Sequence, residues 1–352
     1  MVKSSYIAVL TAISALCGHA QANNGTQSFN FNGTKSVIAF GDSYTFIQGT
    51  AGNPNHTFIG DYKNFKYTAS QLLSTKIVQN FTSTAEGGPN WIERLTGCAT
   101  TSGYYSPTAC RIQLWDFAFA GASVSREFLP PHSKTTVPLV NQTQQFLTYG
   151  EPALRNSGNL DKSKALVALW IGVNDVFDSK TYKPAEVSYQ DFWTAEIRGV
   201  FEQSVTPLYE SGFKNFLFMN LPPLDRTAAN QKTAYYKTGE VYPSKTQVDL
   251  WGSILSNQTQ AFGAAYPDAK AMLYDANKFL NGVMDNPKKY GISHTATYCA
   301  AWNQIGVLTN ATAYGCDKLQ TYFWYNALHL SARTHQVMAA DLQTFLLSQA
   351  TY

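Results

Sequence analysis

Charge is scarce in this sequence. Asp, Glu, Lys and Arg together supply 14% of its 352 residues, against roughly a quarter in an ordinary soluble chain. A surface so poorly charged needs another source of solvation, and glycans are one. The charges present nearly cancel, at a formal +3. No electrostatic field of that size draws in nucleic acid or an anionic membrane, so neither is expected as a partner. Long apolar runs are missing as well. The most marked one, Ile7 to Cys17, is too short to span a bilayer. There is no P-loop, no GxGxxG after a strand and no HExxH, so the usual signatures of nucleotide and zinc enzymes are excluded. His56, His132, His294 and His335 are scattered, and neither CxxC nor HxxxH spacing occurs; no metal or cofactor is expected. The absence of internal repeats, heptads and low-complexity tracts excludes solenoids and coiled coils.

The N-terminus reads as an export signal over residues 1–22. Lys3 gives the positive end, Ile7 to Cys17 the apolar stretch, and Ala20-Gln21-Ala22 a small-residue cleavage site. Removing Lys3 brings the formal charge to +2. Four cysteines then remain: Cys98, Cys110, Cys299 and Cys316. They permit three pairings. The local one, Cys98 with Cys110 and Cys299 with Cys316, is the simplest because each bond pins one loop. Seven Asn-x-Ser/Thr sequons, at Asn24, Asn32, Asn55, Asn80, Asn141, Asn257 and Asn310, fit a glycosylated secretory product. A soluble, extracellular monomer is expected.

Short apolar runs alternate with helical patterns along residues 23–352, which is the mark of a parallel α/β sheet. The runs are Ser36 to Phe40, Ile112 to Phe119, Ala165 to Ile171, Asn215 to Leu221 and Lys270 to Tyr274. Each closes on Gly, Pro, Asn or Asp, as a strand buried between helix layers should. Helices are predicted over 189–211, with Phe192, Ile197, Val200, Phe201, Val205 and Leu208 facing the core, over 250–266, and over 331–347. In the last, Ser331 is the N-cap and Val337, Leu342 and Leu346 point inward. Stretches 44–110 and 284–325 lack clear periodicity, apart from a short helix near Trp91, and read as insertions. The economical reading is one domain: five parallel strands between two helix layers.

Ligands in such sheets bind beyond the carboxyl ends of the strands. Residues capable of acyl transfer sit there. Gly41-Asp42-Ser43 follows the first strand and places a serine hydroxyl at a strand-to-helix corner. Gly121 follows the second and lets a backbone N–H approach a ligand. Asn174, in Gly172-Val173-Asn174-Asp175, follows the third and offers a side-chain amide. His329, just before the last helix, can act as base. Each alone reads as an ordinary turn or a structural histidine. Together they supply a nucleophile (Ser43), oxyanion donors (Ser43, Gly121, Asn174) and a base (His329), which is the set that acyl transfer needs.

In these blocks the chain resembles the SGNH/GDSL hydrolases, from about Ser36 to about Leu347. The resemblance implies a flavodoxin-like three-layer α/β/α sandwich. Gly88-Pro-Asn-Trp91, Trp115-Asp-Phe-Ala-Phe-Ala-Gly121-Ala, Leu169-Trp-Ile-Gly-Val-Asn-Asp175 and Asn220-Leu-Pro-Pro-Leu-Asp225 are more similar still to fungal family 16 carbohydrate esterases. That group implies removal of acetyl groups from sugars and short xylo-oligosaccharides. One position departs from the pattern. Where the family has Asp three residues before its His, this chain has Asn326. Three consequences are open: a Ser–His pair with Asn326 or a backbone carbonyl orienting the ring, an Asp from elsewhere such as Asp317, or a weakened enzyme. An active pair or an Asn-supported triad is the expectation, with Asp42 and Asp175 as loop-ordering groups.

Aromatic residues make up 14% of the chain. Trp91, Trp302 and Trp324 flank or belong to the insertions and offer either a sugar-stacking platform or core packing. The expected partner is an acetylated saccharide or another small ester. The alternatives are a GDSL lipase or general short-chain esterase, and a catalytically weak carbohydrate-binding protein.

Overall fold

The computed structural model describes residues 29–60, 66–80, 84–98, 100–230 and 241–350. The expected signal segment and Asn24 lie outside the described residues.

Five strands form the central sheet: β1 (Ser36–Gly41), β2 (Gln113–Asp116), β3 (Ala165–Trp170), β4 (Asn215–Met219) and β5 (Lys270–Tyr274). Each falls on one of the five apolar runs. All pairings are parallel, in the order β2-β1-β3-β4-β5. Every residue of β1, β3 and β4 is buried, because helices cover both faces of the sheet. The expected three-layer α/β/α sandwich is what forms. Its strand order reverses at β1, so the crevice for a ligand opens at the carboxyl ends of β1 and β3.

Seven helices matter for the site and its frame. They are α1 (Trp91–Thr96), α2 (Leu139–Gln145), α3 (Val173–Tyr182), α4 (Tyr189–Val200), α5 (Lys245–Ala265), α6 (Ala276–Asp285) and α7 (Ala332–Ser348). Helix α7 packs against α1 and α6, and α4 packs against α5. Ser331 caps α7 as expected, its side chain accepting from Thr334 N. The helix predicted over 250–266 begins earlier, at Lys245, because Ser244 and Gln247 form a reciprocal capping box. The helical stretch 189–211 is wound in two registers: α4 passes through one π turn at Phe201–Val205 before the helix Thr206–Glu210. Pro207 sits at the start of that last piece and has no N–H to give back to the preceding turn, which favours the wider winding.

The stretch 44–110 builds a small antiparallel sheet from Gln48–Gly49, Ile77–Gln79 and Gly103–Tyr105. Strand pairs this short give no period-2 signal, which is why the sequence shows none. The 284–325 stretch holds its own small apolar cluster of Cys299, Val307, Ala311, Cys316 and Tyr322. The local disulfides Cys98–Cys110 and Cys299–Cys316 both form. Among the described residues no helix is long and apolar enough to cross a membrane.

Candidate active site

The site grows out of two glycine corners. At the end of β1, Gly41 has φ +153°, and a Cβ there would lie 2.2 Å from the carbonyl oxygen of Trp170. Only glycine lets the chain pass so close to β3 and still turn. Asp42 then closes the turn by accepting from Tyr44 N at 2.9 Å, and Ser43 is left at the crevice. At the end of β3, Gly172 has φ +121°, and a Cβ would lie 2.3 Å from the Trp251 ring. The chain enters α3 there, with Asn174 in its first turn.

Three loops are stitched together by hydrogen bonds. Asn174 Nδ2 donates to Ala122 O at 2.7 Å, beside Gly121. One amide hydrogen is thus used, and among the described residues the second has no acceptor. Asp175 Oδ1 accepts from Val124 N at 2.8 Å. Asp42 and Asp175 therefore act as loop-ordering groups, as the sequence suggested. Both are fully buried, and burial pushes Asp42 up to about 8 and Asp175 up to about 7.

His329 reaches Ser43 from the far end of the chain. Its Nε2 lies 2.8 Å from Ser43 Oγ and its Nδ1 3.1 Å from Asn326 Oδ1. The same Oδ1 accepts from Leu328 N at 3.0 Å and His329 N at 2.9 Å. Backbone N–H groups only donate, so the atom facing them is the amide oxygen and not its NH2. The contact to Nδ1 then requires a proton on Nδ1, and Nε2 presents its lone pair to Ser43. Asn326 thereby selects the tautomer that a general base needs. Asp317, the other candidate for this task, pairs instead with His294 Nε2 at 2.7 Å and does not reach His329.

Two supports were not legible in the sequence. Gln142, on α2, clamps the nucleophile turn: Gly41 N donates to its Oε1 at 3.0 Å, and its Nε2 donates to Gly41 O at 2.8 Å. The hydroxyl of buried Tyr44 donates to Leu328 O, which fixes the carbonyl preceding His329. Behind them His335 is fully buried. Its Nδ1 accepts from Trp91 N at 3.3 Å, and its Nε2 stands 3.5 Å from Glu86 Oε1. Burial, with the charge of His335 second, pulls His329 down to about 4, so its imidazole is neutral at ordinary pH.

Ser43, Gly121, Asn174, Asn326 and His329 all line one cavity of about 1140 Å³. Of the three tryptophans considered, Trp91 and Trp324 are wholly buried and belong to the core. Trp302 lines the cavity, edge-on to Tyr325 with ring centroids 5.8 Å apart, and its carbonyl accepts from the Tyr325 hydroxyl.

The profile of the GDSL-like lipase/acylhydrolase family matches residues 37–342. The chain belongs to this family. As a GDSL-like acylhydrolase it is a carboxylic ester hydrolase acting on small esters. It is similar to an acetylesterase of Thermothelomyces thermophilus, at 26% identity over 87% of this chain and 86% of the relative. It is also similar to GDSL esterase/lipase 2 of Arabidopsis thaliana, at 24% identity over 86% and 84% of the two chains. Among solved structures, an alpha/beta hydrolase enzyme from the metagenome of Lake Arreo, Spain, aligns over 92% of this chain and 99% of its own, at 12% identity and a TM-score of 0.41.

Proposed function

We propose that this GDSL hydrolase is a secreted esterase that removes acetyl groups from sugar hydroxyls of short oligosaccharides, by way of an acyl-enzyme on Ser43. His329 Nε2 takes the Ser43 proton as the oxygen attacks the ester carbonyl. The N–H groups of Ser43 and Gly121 and the free amide hydrogen of Asn174 hold the oxyanion. His329 then protonates the departing sugar oxygen, and a water activated by the same imidazole releases acetate. The 2.8 Å contact between Ser43 Oγ and an imidazole already in the base tautomer carries this reading.

An Asn at the orienting position is not fatal here. In a chymotrypsin-type triad, Asp→Asn costs about 10⁴ in turnover because the wrong tautomer results. Here two backbone donors pin the Asn326 oxygen toward Nδ1, so the tautomer is retained. Only the charge of a carboxylate is missing.

The acetyl-saccharide part rests on three supports. They are the similarity to the Thermothelomyces acetylesterase, the Trp302–Tyr325 pair in the cavity, and the family 16 resemblance of the sequence. Export and glycosylation rest on the signal-like N-terminus, the two disulfides and the accessibility of the sequon asparagines: Asn32, Asn55, Asn80, Asn257 and Asn310 are exposed and Asn141 is half-buried. A second reading, a longer-chain esterase, is favoured by the size of the cavity and by Phe46, Phe119, Phe177 and Leu308 in its wall. Chain-length profiling on p-nitrophenyl esters separates them: a maximum at acetate supports the first, a maximum at octanoate the second. Ser43→Ala is expected to abolish p-nitrophenyl acetate turnover, and retained turnover removes Ser43 from the mechanism.

A further inference from the structure

The catalytic cavity contains an imidazole–carboxylate pair that the acyl-transfer steps do not use. His132 Nε2 lies 2.6 Å from Asp178 Oδ2, and both residues line the cavity with Ser43 and His329. Two features fix the pair beside the oxyanion pocket. Asp178 follows Asn174 by four residues on α3, so the two side chains stand on one face, one turn apart. A Cβ built on Gly121 would lie 3.2 Å from His132 Nδ1, so the other ring nitrogen abuts the Gly121 corner.

The pair is only partly closed. The His132 side chain is 44% exposed and that of Asp178 19%. Among the described residues, neither His132 Nδ1 nor Asp178 Oδ1 has a hydrogen-bond partner. Around them the cavity wall is largely apolar, with Phe119 and Phe177 nearby in sequence to Gly121 and Asp178. A carboxyl and an imidazole with free polar atoms on such a wall are matched by a ligand group that both donates and accepts. A hydroxyl does this: its hydrogen goes to Asp178 Oδ1, and its oxygen accepts from His132 Nδ1 in the imidazolium form, which the Nε2 hydrogen bond to Asp178 favours by raising His132 above the usual imidazole value.

We infer that His132 and Asp178 form a recognition site for the hydroxyl neighbouring the esterified one, so that the enzyme prefers monoesters of vicinal diols. This rests on the acetyl-ester reading above, because an acetyl group has no polar atom beyond its carbonyl and leaves only the alcohol half of the substrate to be recognised. A site that hydrogen-bonds a substrate hydroxyl discriminates against the analogue lacking it, since its own polar groups are then left unpaired.

The test compares kcat/KM for 2-hydroxyethyl acetate, ethyl acetate and ethyl hydroxyacetate, the last carrying its hydroxyl on the acyl side. The full-length enzyme is used beside Asp178→Asn, which still accepts from His132, and His132→Gln. The expected result is a preference of about tenfold or more for 2-hydroxyethyl acetate over ethyl acetate in the wild type, consistent with a partly solvated site. In both variants that ratio falls about tenfold. Equal losses on the two esters, with a lowered melting midpoint, mean that the pair only ties the 125–138 loop to α3, and overturn the inference. So does an unchanged ratio, or a preference for ethyl hydroxyacetate. Acetylated xylo-oligosaccharides form a separate arm. Failure to deacetylate them removes the saccharide reading while a variant-sensitive diol preference still supports the pair's role. Deacetylation with a ratio indifferent to both variants does the reverse.

Discussion

Replacing Asn326 by Asp puts a carboxylate against His329 Nδ1, and the geometry sets the size of the effect. Asn326 Oδ1 accepts three hydrogen bonds, from Leu328 N, His329 N and His329 Nδ1. A carboxylate is a better acceptor for all three, so Asn326→Asp keeps the rotamer. A neutral hydrogen bond contributes about 0.5–1.5 kcal/mol, and one to a charged group about 1.5–3. The imidazolium formed in the transition state therefore gains about 1–1.5 kcal/mol, which corresponds to a rise in kcat of about five- to tenfold. Because the carboxylate also favours imidazolium in the free enzyme, His329 is raised from about 4. A base must be neutral to accept a proton, so the acid limb of the pH–kcat/KM profile moves to higher pH. Steady-state hydrolysis of p-nitrophenyl acetate across that range reads both quantities. An unchanged or lower kcat at an unchanged melting midpoint refutes the reasoning, as does a rise in kcat with an unmoved acid limb.

Two further outcomes follow from the packing. Asp42, Asp175 and Glu93 are held in the folded state above the ordinary carboxyl range, at about 8, about 7 and about 8, by burial. Their contribution is complete below the unfolded carboxyl values and is lost as pH rises through the folded ones. Above the ordinary imidazole value of 6.5 the buried histidines are neutral in both states and no longer oppose this. The melting midpoint is thus expected to fall between about pH 6.5 and about pH 8, and Asp42→Asn to flatten that fall; a wild-type midpoint that rises over this interval contradicts the assignment. Gln142→Ala leaves the Gly41 N–H buried without its acceptor. Such a loss costs about 1–3 kcal/mol, seen as a drop of several degrees in the midpoint together with a lower kcat; no change in either shows that the clamp is dispensable.

The five strands were legible because strands buried on both faces must be apolar throughout, as β1, β3 and β4 are. The candidate site was legible because it hangs on the glycines and polar residues that end those strands. Helices α3 and α6 were not. The α3 sequence Val173-Asn-Asp-Val-Phe-Asp-Ser-Lys-Thr-Tyr182 opens with residues that read as a turn, and its Asn174 and Asp175 spend their side chains on neighbouring loops. Gln142 was hidden for a related reason. A glutamine inside an amphipathic stretch looks solvent-facing, and only tertiary structure shows that its partners are the backbone of a residue 101 positions away. The orientation of the Asn326 amide likewise depends on the turn that brings Leu328 N and His329 N onto its oxygen, which residue identity does not encode.

Activation of the Ser43 hydroxyl by its contact with His329 underlies the whole proposed mechanism. A fluorophosphonate probe followed by peptide mass spectrometry tests it most directly, since only an activated serine reacts. A single adduct on Ser43 is expected, lost in His329→Ala at an unchanged melting midpoint. Ester hydrolysis with no adduct on Ser43, or an adduct that forms as fast without the imidazole, contradicts it.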